Sequence, residues 1–435
     1  MISEHASPLE ALGGVDSGGQ NVYVSKLSQR LALEGFEVDI VTRRDSVNLP
    51  PVVTLSRGVR VIHIPAGPAH FVPKEHLLPF MDEFAEHCAR LARVHRYSLV
   101  HANFFMSGLV GLNLKRSQGL PLIVTFHALG KVRRMHQKEA DGFSDRRFTI
   151  EEPLAKKADL LIAECPQDRE DLMNLYGADP SRITTIPCGY DPTEFPLIPK
   201  AVARRKLELS DSTFIALQVG RLVPRKGVDT AIRGFAAFQH TTRSEAELLI
   251  VGGGTERSPG YFSSERNRLE RIAHEAGIAS HVHFMGAKQR DALRYYYSAA
   301  DVFISIPWYE PFGITPLEAM ASGTPVIGSE VGGIKSTILD GITGFLVPPR
   351  SPRAVAEKLE MLYRHRQLLA NLGERARRHM QAHYTWETVA RAVAKAYRNL
   401  EADTLSRSKG SHLTSLIAKP RDDQRSTGRS SQGWS

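Results

Sequence analysis

The chain has 435 residues, which is enough for two or three domains with sizeable hydrophobic cores. Its 42% apolar and 24% charged residues are ordinary for a globular protein, and no apolar run approaches the roughly 18 to 20 residues that span a bilayer. The N-terminal segment MISEHASPLE lacks the form of a signal peptide. The three cysteines are widely spaced and not paired as CxxC, which argues against a disulfide framework or a zinc site and indicates a cytoplasmic protein.

The net charge of +9 comes in large part from the C-terminal end of the chain. Residues 406–435 include six basic and two acidic residues in a segment rich in Ser, Arg and Gly, which predicts a disordered basic tail. A nucleic-acid-binding tail would make binding steeply dependent on salt. The basic excess over the remaining residues is mild, and it suits an enzyme with anionic phosphate substrates.

Short β-rich runs alternate with helical stretches along the chain, which is the pattern of parallel βαβ units. The strands predicted in the first half are FEVDIVT, VRVIHIP, YSLVHAN, PLIVTFH, ADLLIAEC and RITTIPCG. Those predicted in the second half are FIALQVG, AELLIVGGG, HVHFMGA, DVFISIP, TPVIGSE and GFLVPP. Residues 191–205 contain three prolines and no clear strand, and they are interpreted as a linker.

The predicted fold class is therefore α/β, with two Rossmann-like, doubly wound domains facing each other across a cleft. The domains span residues 1–195 and 206–385, and an amphipathic helix over residues 386–405 precedes the tail. A Rossmann-like domain has a strand before its first glycine-rich loop, but only Met1 and Ile2 precede that loop here. We expect the first strand to be truncated or the start of translation to lie upstream.

A glycine-rich loop leads into the first helix at GGVDSGGQNVYVSKLSQRLALEGFEV. Gly18 and Gly19 allow the backbone to approach an anion, and the free N–H groups and dipole of the helix favour a phosphate. A tight strand–helix turn without a ligand explains the glycines equally well, because such loops are weak signals.

The segment QVGRLVPRKGVDTAI repeats this arrangement in the second half. A strand ends at Gly220, and the following loop contains three cations that would neutralise a diphosphate: Arg221, Arg225 and Lys226. A solvated turn is the more common fate of such residues. The diphosphate interpretation is favoured because both domains have a phosphate-type loop at the same end of the sheet.

His127 follows directly after the apolar strand PLIVTF. A histidine in this position more often makes structural hydrogen bonds than takes part in catalysis. Basic residues follow it at Lys131, Arg133, Arg134, Arg146 and Arg147. A charge cluster is usually a solvated face, but beside a strand end in a cleft it could hold the phosphate of an acceptor.

The segment EPFGITPLE has acids at both ends of a turn. TPLE has the form of a helix start, with Thr315 as N-cap, Pro316 at N1 and Glu318 closing a capping box. This interpretation does not explain Glu310 or the aromatic residues around the turn, which are Trp308, Tyr309 and Phe312. The preceding run DVFISIPW is typical of a buried parallel strand, and open α/β sheets bind ligands at the carboxyl ends of such strands.

Six segments together resemble a family of enzymes: DSGGQNVY, FHALGK, VGRLVPRKG, FMGAKQRDALRYYYSAAD, EPFGITPLEAMASGTPVIGSEVGG and TGFLVPP. They are similar to the retaining glycosyltransferases of the sucrose-synthase, sucrose-phosphate-synthase and inositol-phosphate glycosyltransferase group. The resemblance covers residues 2–400. It implies the GT-B architecture, a nucleotide-sugar donor held mainly by the C-terminal domain, and a last helix that crosses back onto the N-terminal domain.

The resemblance also implies roles for individual residues. Glu310 would bind hydroxyls of the donor sugar, and Glu318 would bind the ribose of the nucleotide. His127 would approach the donor sugar near the reacting carbon. The leaving diphosphate would be stabilised by Arg225 and Lys226. Further donor contacts are implied for Gly18, Gly19, Gly220, Phe312, Gly313, Ile314 and Thr315. Neither phosphate loop has aspartates at cation-binding spacing, so we expect no metal and no other cofactor.

For the acceptor, Lys74 and Arg147 occupy positions that bind phosphate in the inositol-phosphate enzymes, and Lys131 is added from the charge cluster. Phe104 stands where those enzymes have a tyrosine, and Ala128 stands where they have a threonine, so two of four phosphate contacts are missing. DSGGQ with HALGK resembles the sucrose-phosphate-synthase pattern instead. We therefore predict hexosyl transfer from a UDP-, GDP- or ADP-hexose to a small phosphorylated sugar or polyol.

Three other functions fit parts of the sequence. A nucleotide-sugar epimerase of the same fold is disfavoured by the Arg225–Lys226 pair and by the glutamate spacing. A glycoside hydrolase needs two carboxylates facing a sugar at roughly 5 to 9.5 Å, and Glu310 and Glu318 lie too far apart along one turn and helix. The third is a nucleic-acid-binding protein that uses the basic tail. We expect no nucleic-acid partner and no transmembrane segment, and the oligomeric state is not predicted.

Overall fold

The computed structural model describes residues 1–9, 18–253 and 259–417, with the side chains of residues 259–263 and 405–417 excluded. The N-terminal half contains α1 (Gly19–Leu33), β1 (Val38–Arg43), β2 (Val52–Ser56), β3 (Val59–Ile64), α2 (Met81–His95), β4 (Val100–Asn103), α3 (Phe105–Gln118), β5 (Leu122–Thr125), α4 (Gly130–Gln137), α5 (Arg146–Lys157), β6 (Leu160–Ala163), α6 (Pro166–Tyr176) and β7 (Ile183–Thr185). These elements alternate as the sequence pattern predicts.

The second half continues the alternation and ends in helices. It contains α7 (Lys200–Lys206), β8 (Phe214–Val219), α8 (Val228–Thr242), β9 (Ala246–Val251), α9 (Pro259–Glu275), β10 (Val282–Gly286), α10 (Arg290–Ala299), β11 (Val302–Ser305), α11 (Ile314–Ala321), β12 (Val326–Ser329), α12 (Gly332–Thr337), β13 (Gly344–Val347), α13 (Pro352–Arg364), α14 (Arg366–His383) and α15 (Trp386–Ile417). Each predicted strand segment contains a strand. Most of α7 lies within the predicted linker, and the domain boundaries at residues 195 and 206 stay a prediction.

The C-terminal sheet is parallel throughout, with the strand order β10-β9-β8-β11-β12-β13. Strands such as β8 and β11 are almost fully buried because helices cover both faces of the sheet. The order of connection reverses between β8 and β11, which are neighbours in the sheet. This reversal opens a crevice at the carboxyl ends of the strands, where α/β folds bind ligands.

The N-terminal sheet is built from two parts. One has the order β4-β5-β6-β7 and is parallel, and the other has the order β1-β3-β2. Ile2 makes parallel bridges to Val41 in β1 and to Ala102 in β4, so it joins the two parts at the position expected for the first strand. β2 pairs antiparallel at the edge. The sequence did not reveal β2 because its apolar residues, such as the half-exposed Val52, lack a buried face.

The last helix, α15, returns to the N-terminal domain. Trp386 at its start is fully buried, and further along the hydroxyl of Tyr397 lies 2.6 Å from Nδ1 of His101 in β4.

Residues 406–417 continue the helix, so the prediction of disorder from residue 406 is wrong for that part. No proline lies between Trp386, where the helix begins, and Pro420, and the packed first turns nucleate the helix. Residues 418–435 of the predicted tail lie outside the described residues. No helix in the described part of the chain is long and apolar enough to cross a membrane.

Candidate active site between the two domains

A cleft of about 600 Å³ separates the domains at the carboxyl ends of both parallel sheets. From the N-terminal domain it is lined by the start of α1 and by His127, which follows β5. From the C-terminal domain it is lined by loops after β8, β9 and β11, the last of which contains Glu310. Parallel strands bring their carboxyl ends to one edge, and this explains why sequence-distant loops meet here.

Glu310 forms a partly buried ion-pair cluster with the basic loop after β8. Nζ of Lys226 lies 2.5 Å from Oε2 of Glu310, and Nη1 of Arg225 lies 3.6 Å from the same oxygen. Burial alone would raise the pKa of Glu310, but the two cations outweigh it and hold that pKa below its ordinary value. Burial also lowers the pKa of Lys226, against the attraction of Glu310. The carboxylate is thus held ionised beside two cations that face the cleft.

Glycines fix the backbone around this cluster. Gly227, directly after Lys226, has a φ of 68°, and an added Cβ would lie 2.0 Å from the carbonyl oxygen of Ile306. Gly332, at the start of α12, has a φ of 44°, and an added Cβ would lie 1.8 Å from the carbonyl oxygen of Glu310. Only glycine satisfies both the left-handed backbone and the close approach at these two positions.

Replacing Gly332 by alanine is expected to displace the backbone of Glu310. The clash and the left-handed conformation should together lower the free energy of unfolding by about 2 to 5 kcal/mol and reduce turnover. Gly341 is the matched control, because its φ is 70° but an added Cβ would meet nothing within 4 Å. Gly341→Ala should cost only about 1 to 2 kcal/mol and preserve turnover. Equal effects of the two substitutions in denaturant unfolding and kinetics would contradict this account.

The start of α11 differs from the predicted capping box. The N-cap is Gly313, whose φ is 99°, and the helix begins at Ile314 without a side-chain cap. Thr315 therefore lies inside the first turn, and Glu318 lies too far along the helix to close a box. Gly313 adopts the left-handed conformation easily because it has no side chain. The helix can therefore begin two residues before the position that a Thr315 N-cap would give.

Glu318 is buried at the base of the cleft, where side chains from a different helix bind it. Its Oε1 forms an ion pair with Nη1 of Arg290 at 2.7 Å, and its Oε2 accepts a hydrogen bond from the hydroxyl of Tyr297 at 2.9 Å. Burial raises the pKa of Glu318, and Arg290 and Tyr297 counter only part of that rise. Arg290 also pairs with Glu194 of the linker. Sequence reasoning missed Arg290, because at the start of an amphipathic helix it has the pattern of a solvated residue.

Two helix N-termini meet across the cleft. The first residue of α1, Gly19, approaches the first residue of α11, since an added Cβ on Gly19 would lie 3.6 Å from Cδ1 of Ile314. The predicted donor residues Gly18, Gly19, Gly220, Phe312, Gly313, Ile314 and Thr315 all line the cleft. Opposed helix N-termini beside Arg225 and Lys226 create a strongly electropositive position suited to an anion.

His127 lines the cleft with both ring nitrogens occupied. Nδ1 lies 2.9 Å from Oε1 of Glu164, and Nε2 lies 3.0 Å from Oδ1 of Asn103. The backbone φ of His127 is 57°, an uncommon conformation for a residue other than glycine. Sequence reasoning missed Glu164 and Asn103, although both stand at strand ends, the signal that identified His127.

The three predicted acceptor residues are not brought together. Lys74 lines the cleft, with Nζ 3.6 Å from Oε1 of Glu75. Nζ of Lys131 lies 2.7 Å from Oε1 of Glu152 and donates to the carbonyl oxygen of Leu175, so it faces α5 and α6. Lys131 is absent from the described cleft lining, because the face of α4 that it occupies packs away from the cleft, and its role in acceptor binding stays a prediction.

Arg147 also lies away from Lys74, and its predicted contact with the acceptor stays a prediction. It is 1% exposed, forms an ion pair with Glu151 at 2.6 Å, and is absent from the described cleft lining. Arg133, from the same basic cluster, does line the cleft. No group of three or more His, Cys, Asp or Glu side chains within the described ranges could hold a metal ion.

The similarity to known proteins extends over nearly the whole chain. The profile of the glycosyl transferases group 1 matches residues 199–379, and that of glycosyltransferase family 4 matches residues 17–194. The D-inositol 3-phosphate glycosyltransferase 2 of Catenulispora acidiphila is 36% identical over 409 residues, which are 92% of this chain and 95% of the relative. This chain belongs to the group 1 glycosyltransferases.

Other relatives of this group 1 glycosyltransferase agree with that assignment. The D-inositol 3-phosphate glycosyltransferase of Geodermatophilus obscurus is 35% identical, with 91% of this chain and 88% of the relative covered. The structure of sucrose-phosphate synthase from Thermosynechococcus elongatus superposes with a TM-score of 0.85 at 34% identity, covering 92% of this chain and 98% of the other. The predicted GT-B fold and the predicted retaining hexosyltransferase class are confirmed, and the epimerase alternative is set aside.

Proposed function

We propose that this enzyme transfers a hexosyl group from a nucleotide sugar, a UDP-, GDP- or ADP-hexose, to a small sugar or polyol. The observation that carries the proposal is the cluster of Glu310, Lys226 and Arg225 beside the facing N-termini of α1 and α11. A carboxylate for sugar hydroxyls and an anion site for a diphosphate lie next to each other there. A bound nucleotide sugar requires this combination.

Each charged group has capacity left for the donor. Lys226 has three N–H donors and Glu310 has about four lone-pair positions, so their mutual contact leaves groups on both for the substrate. Arg225 and Lys226 would oppose the negative charge that grows on the diphosphate as the glycosidic bond breaks, and such electrostatic stabilisation typically accounts for most of the rate enhancement. Glu318, oriented by Arg290 and Tyr297, would accept hydrogen bonds from the ribose.

The acceptor class is supported by the relatives. One group is named for inositol 3-phosphate and the structural neighbour for sucrose phosphate, and both names refer to small polyhydroxyl compounds. We also propose a cytoplasmic location, in keeping with free buried thiols at Cys88, Cys165 and Cys188. We expect neither a nucleic-acid partner nor a cofactor.

The direct test is a product assay with a panel of nucleotide hexoses and of sugar and polyol acceptors. Mass spectrometry should detect a hexosylated acceptor and the released nucleoside diphosphate in equal amounts, and NMR should show the anomeric configuration of the donor retained. If calorimetry detects no nucleotide-sugar binding and no acceptor is glycosylated, the proposal fails.

We expect activity to be independent of divalent metal. The positive charge that a metal would supply to the diphosphate is already present in Arg225, Lys226 and the two helix N-termini. Turnover should be unchanged after dialysis against a chelator and on addition of magnesium or manganese. Activity that disappears with the chelator and returns with either ion would contradict this expectation.

A further inference from the structure

We propose that Glu194 positions Arg290 at the nucleotide end of the cleft and couples that site to helix α1 of the N-terminal domain. The inference rests on the proposed function, in which Glu318 binds the ribose of the donor nucleotide. Glu194 lies between β7 and β8, in the segment that joins the two domains, and it is absent from the described cleft lining. Its effect on the nucleotide must therefore pass through its partners.

A chain of side chains with alternating charge connects α1 to the base of the cleft. Nζ of Lys26 in α1 lies 3.1 Å from Oδ2 of Asp191 and also pairs with Oε1 of Glu194. The other oxygen of Glu194, Oε2, lies 2.5 Å from Nε of Arg290 in α10. Nη1 of Arg290 in turn lies 2.7 Å from Oε1 of Glu318 in α11. Each inner member has an opposite charge on both sides, so displacing one weakens the contacts of its neighbours.

The end of the chain that contains Asp191 is anchored on α1. Besides Lys26, α1 contributes Arg30, whose Nη2 lies 3.5 Å from Oδ2 of Asp191. Burial alone would raise the pKa of Asp191, but hydrogen bonds from Thr193 and the charge of Lys26 outweigh it and hold that pKa at about 2. The backbone N–H of Glu194 donates to the carbonyl oxygen of Asp191 at 3.1 Å. Glu194 therefore extends from a backbone that is fixed to the N-terminal domain.

Arg290 depends on its two carboxylate partners for its position. Its guanidinium carbon lies 4.8 Å from the ring centre of Phe195, the residue after Glu194. Its Nη2 is buried and has no hydrogen-bond partner among the described residues. An unsatisfied buried N–H group is costly, so the guanidinium would gain by moving toward water. Glu194 and Glu318 oppose that movement, and without Glu194 the counter-charge of Glu318 would be less firmly held.

The chain makes nucleotide binding and the placement of α1 depend on each other. Arg290 and Glu318 line the cleft, and so does the N-terminus of α1. A nucleotide that binds against Glu318 holds Arg290 in place. Through Glu194 and Lys26, it also holds α1 where its N-terminus faces the diphosphate. Because energetic coupling is reciprocal, a well-placed α1 should strengthen nucleotide binding by the same factor.

The first test measures the binding of UDP, GDP and ADP to Glu194→Gln by calorimetry. The nucleotide that the wild-type enzyme binds most tightly should bind about tenfold more weakly, which is within the usual range of coupling. The donor KM should rise by a similar factor. At saturating donor, kcat should fall less than about threefold, because no group at the reacting carbon changes.

Glu374→Gln is the matched control for this test. Glu374 also pairs with two cations, Arg377 and Arg378, but all three lie on α14 and none is in the described cleft lining. An unchanged affinity in Glu194→Gln, or an equal loss in Glu374→Gln, would overturn the inference and leave the proposed glycosyltransfer intact. If the wild-type enzyme binds none of the three nucleotides, the proposed function fails as well.

The second test determines whether Glu194 acts through Arg290. In an Arg290→Met background, Glu194→Gln should change nucleotide affinity by less than about twofold, because substitutions within one chain of contacts are not additive. If the two losses multiply instead, Glu194 acts by another route and its role as a positioning residue is overturned.

The third test measures amide hydrogen exchange over residues 26–33, the part of α1 beyond the described cleft lining. A saturating nucleotide should slow exchange there by about twofold or more in the wild-type enzyme and in Glu374→Gln. The same occupancy should leave exchange unchanged in Glu194→Gln, since the link between the nucleotide and α1 is broken. Equal slowing in Glu194→Gln would overturn the coupling.

Discussion

Replacing Lys226 by methionine is expected to lower the rate of the chemical step by about 10²- to 10³-fold, the usual loss when one preorganised charge contact is removed. Methionine keeps most of the length of the side chain but has no charge to oppose the diphosphate in the transition state. Single-turnover kinetics should show the loss even where product release limits kcat. An effect confined to KM would indicate uniform binding of substrate and transition state instead.

The same substitution should change the pH dependence of the enzyme. Lys226 is the nearer of the two cations that counter the burial of Glu310. Without it, the pKa of Glu310 should rise, and the acid limb of kcat/KM should move to higher pH. Lys335→Met is a suitable control because that lysine is exposed, pairs with the exposed Glu330, and is absent from the cleft lining in the described ranges. Loss of activity in the control would mean that a general charge effect is responsible.

Replacing Glu310 by glutamine is expected to lower turnover by about 10²-fold or more, because a displacement of the reacting sugar by about 1 Å can cost that much. The amide keeps the shape of the side chain but has one oxygen acceptor fewer and no charge. Lys226 and Arg225 lose their counter-charge at the same time. Kinetics with the true donor measures the loss.

This variant should remain folded, with only a modest loss of stability. Glutamine retains a carbonyl oxygen that Lys226 can reach, so the free energy of unfolding should fall by about 1 to 3 kcal/mol. Denaturant unfolding provides that value, and Glu330→Gln provides the control at an exposed pair. Near-normal turnover in Glu310→Gln would rule out Glu310 as a ligand of the donor sugar.

Local patterns in the sequence determined the fold and much of the cleft lining. The apolar runs predicted the buried strands because a parallel sheet covered by helices on both faces needs continuous apolar strands. Loops that follow those strands share one edge of a sheet. This principle brought Gly18, His127, Arg225 and Glu310 into the same cleft. The edge strand β2 was not predicted, because it lacks a buried face.

Only the tertiary structure decided which side chains pair within that cleft. Glu318 has the spacing of a capping box, but the left-handed Gly313 makes the helix begin earlier than predicted. Glu318 instead pairs with Arg290 and accepts a hydrogen bond from Tyr297. Lys131 and Arg147 belong to one basic cluster in the sequence, yet neither joins the described cleft lining. Partners such as Arg290 and Glu164 lie on other elements, and their approach depends on the packing of helices and domains. No periodicity or motif within a short segment contains that information.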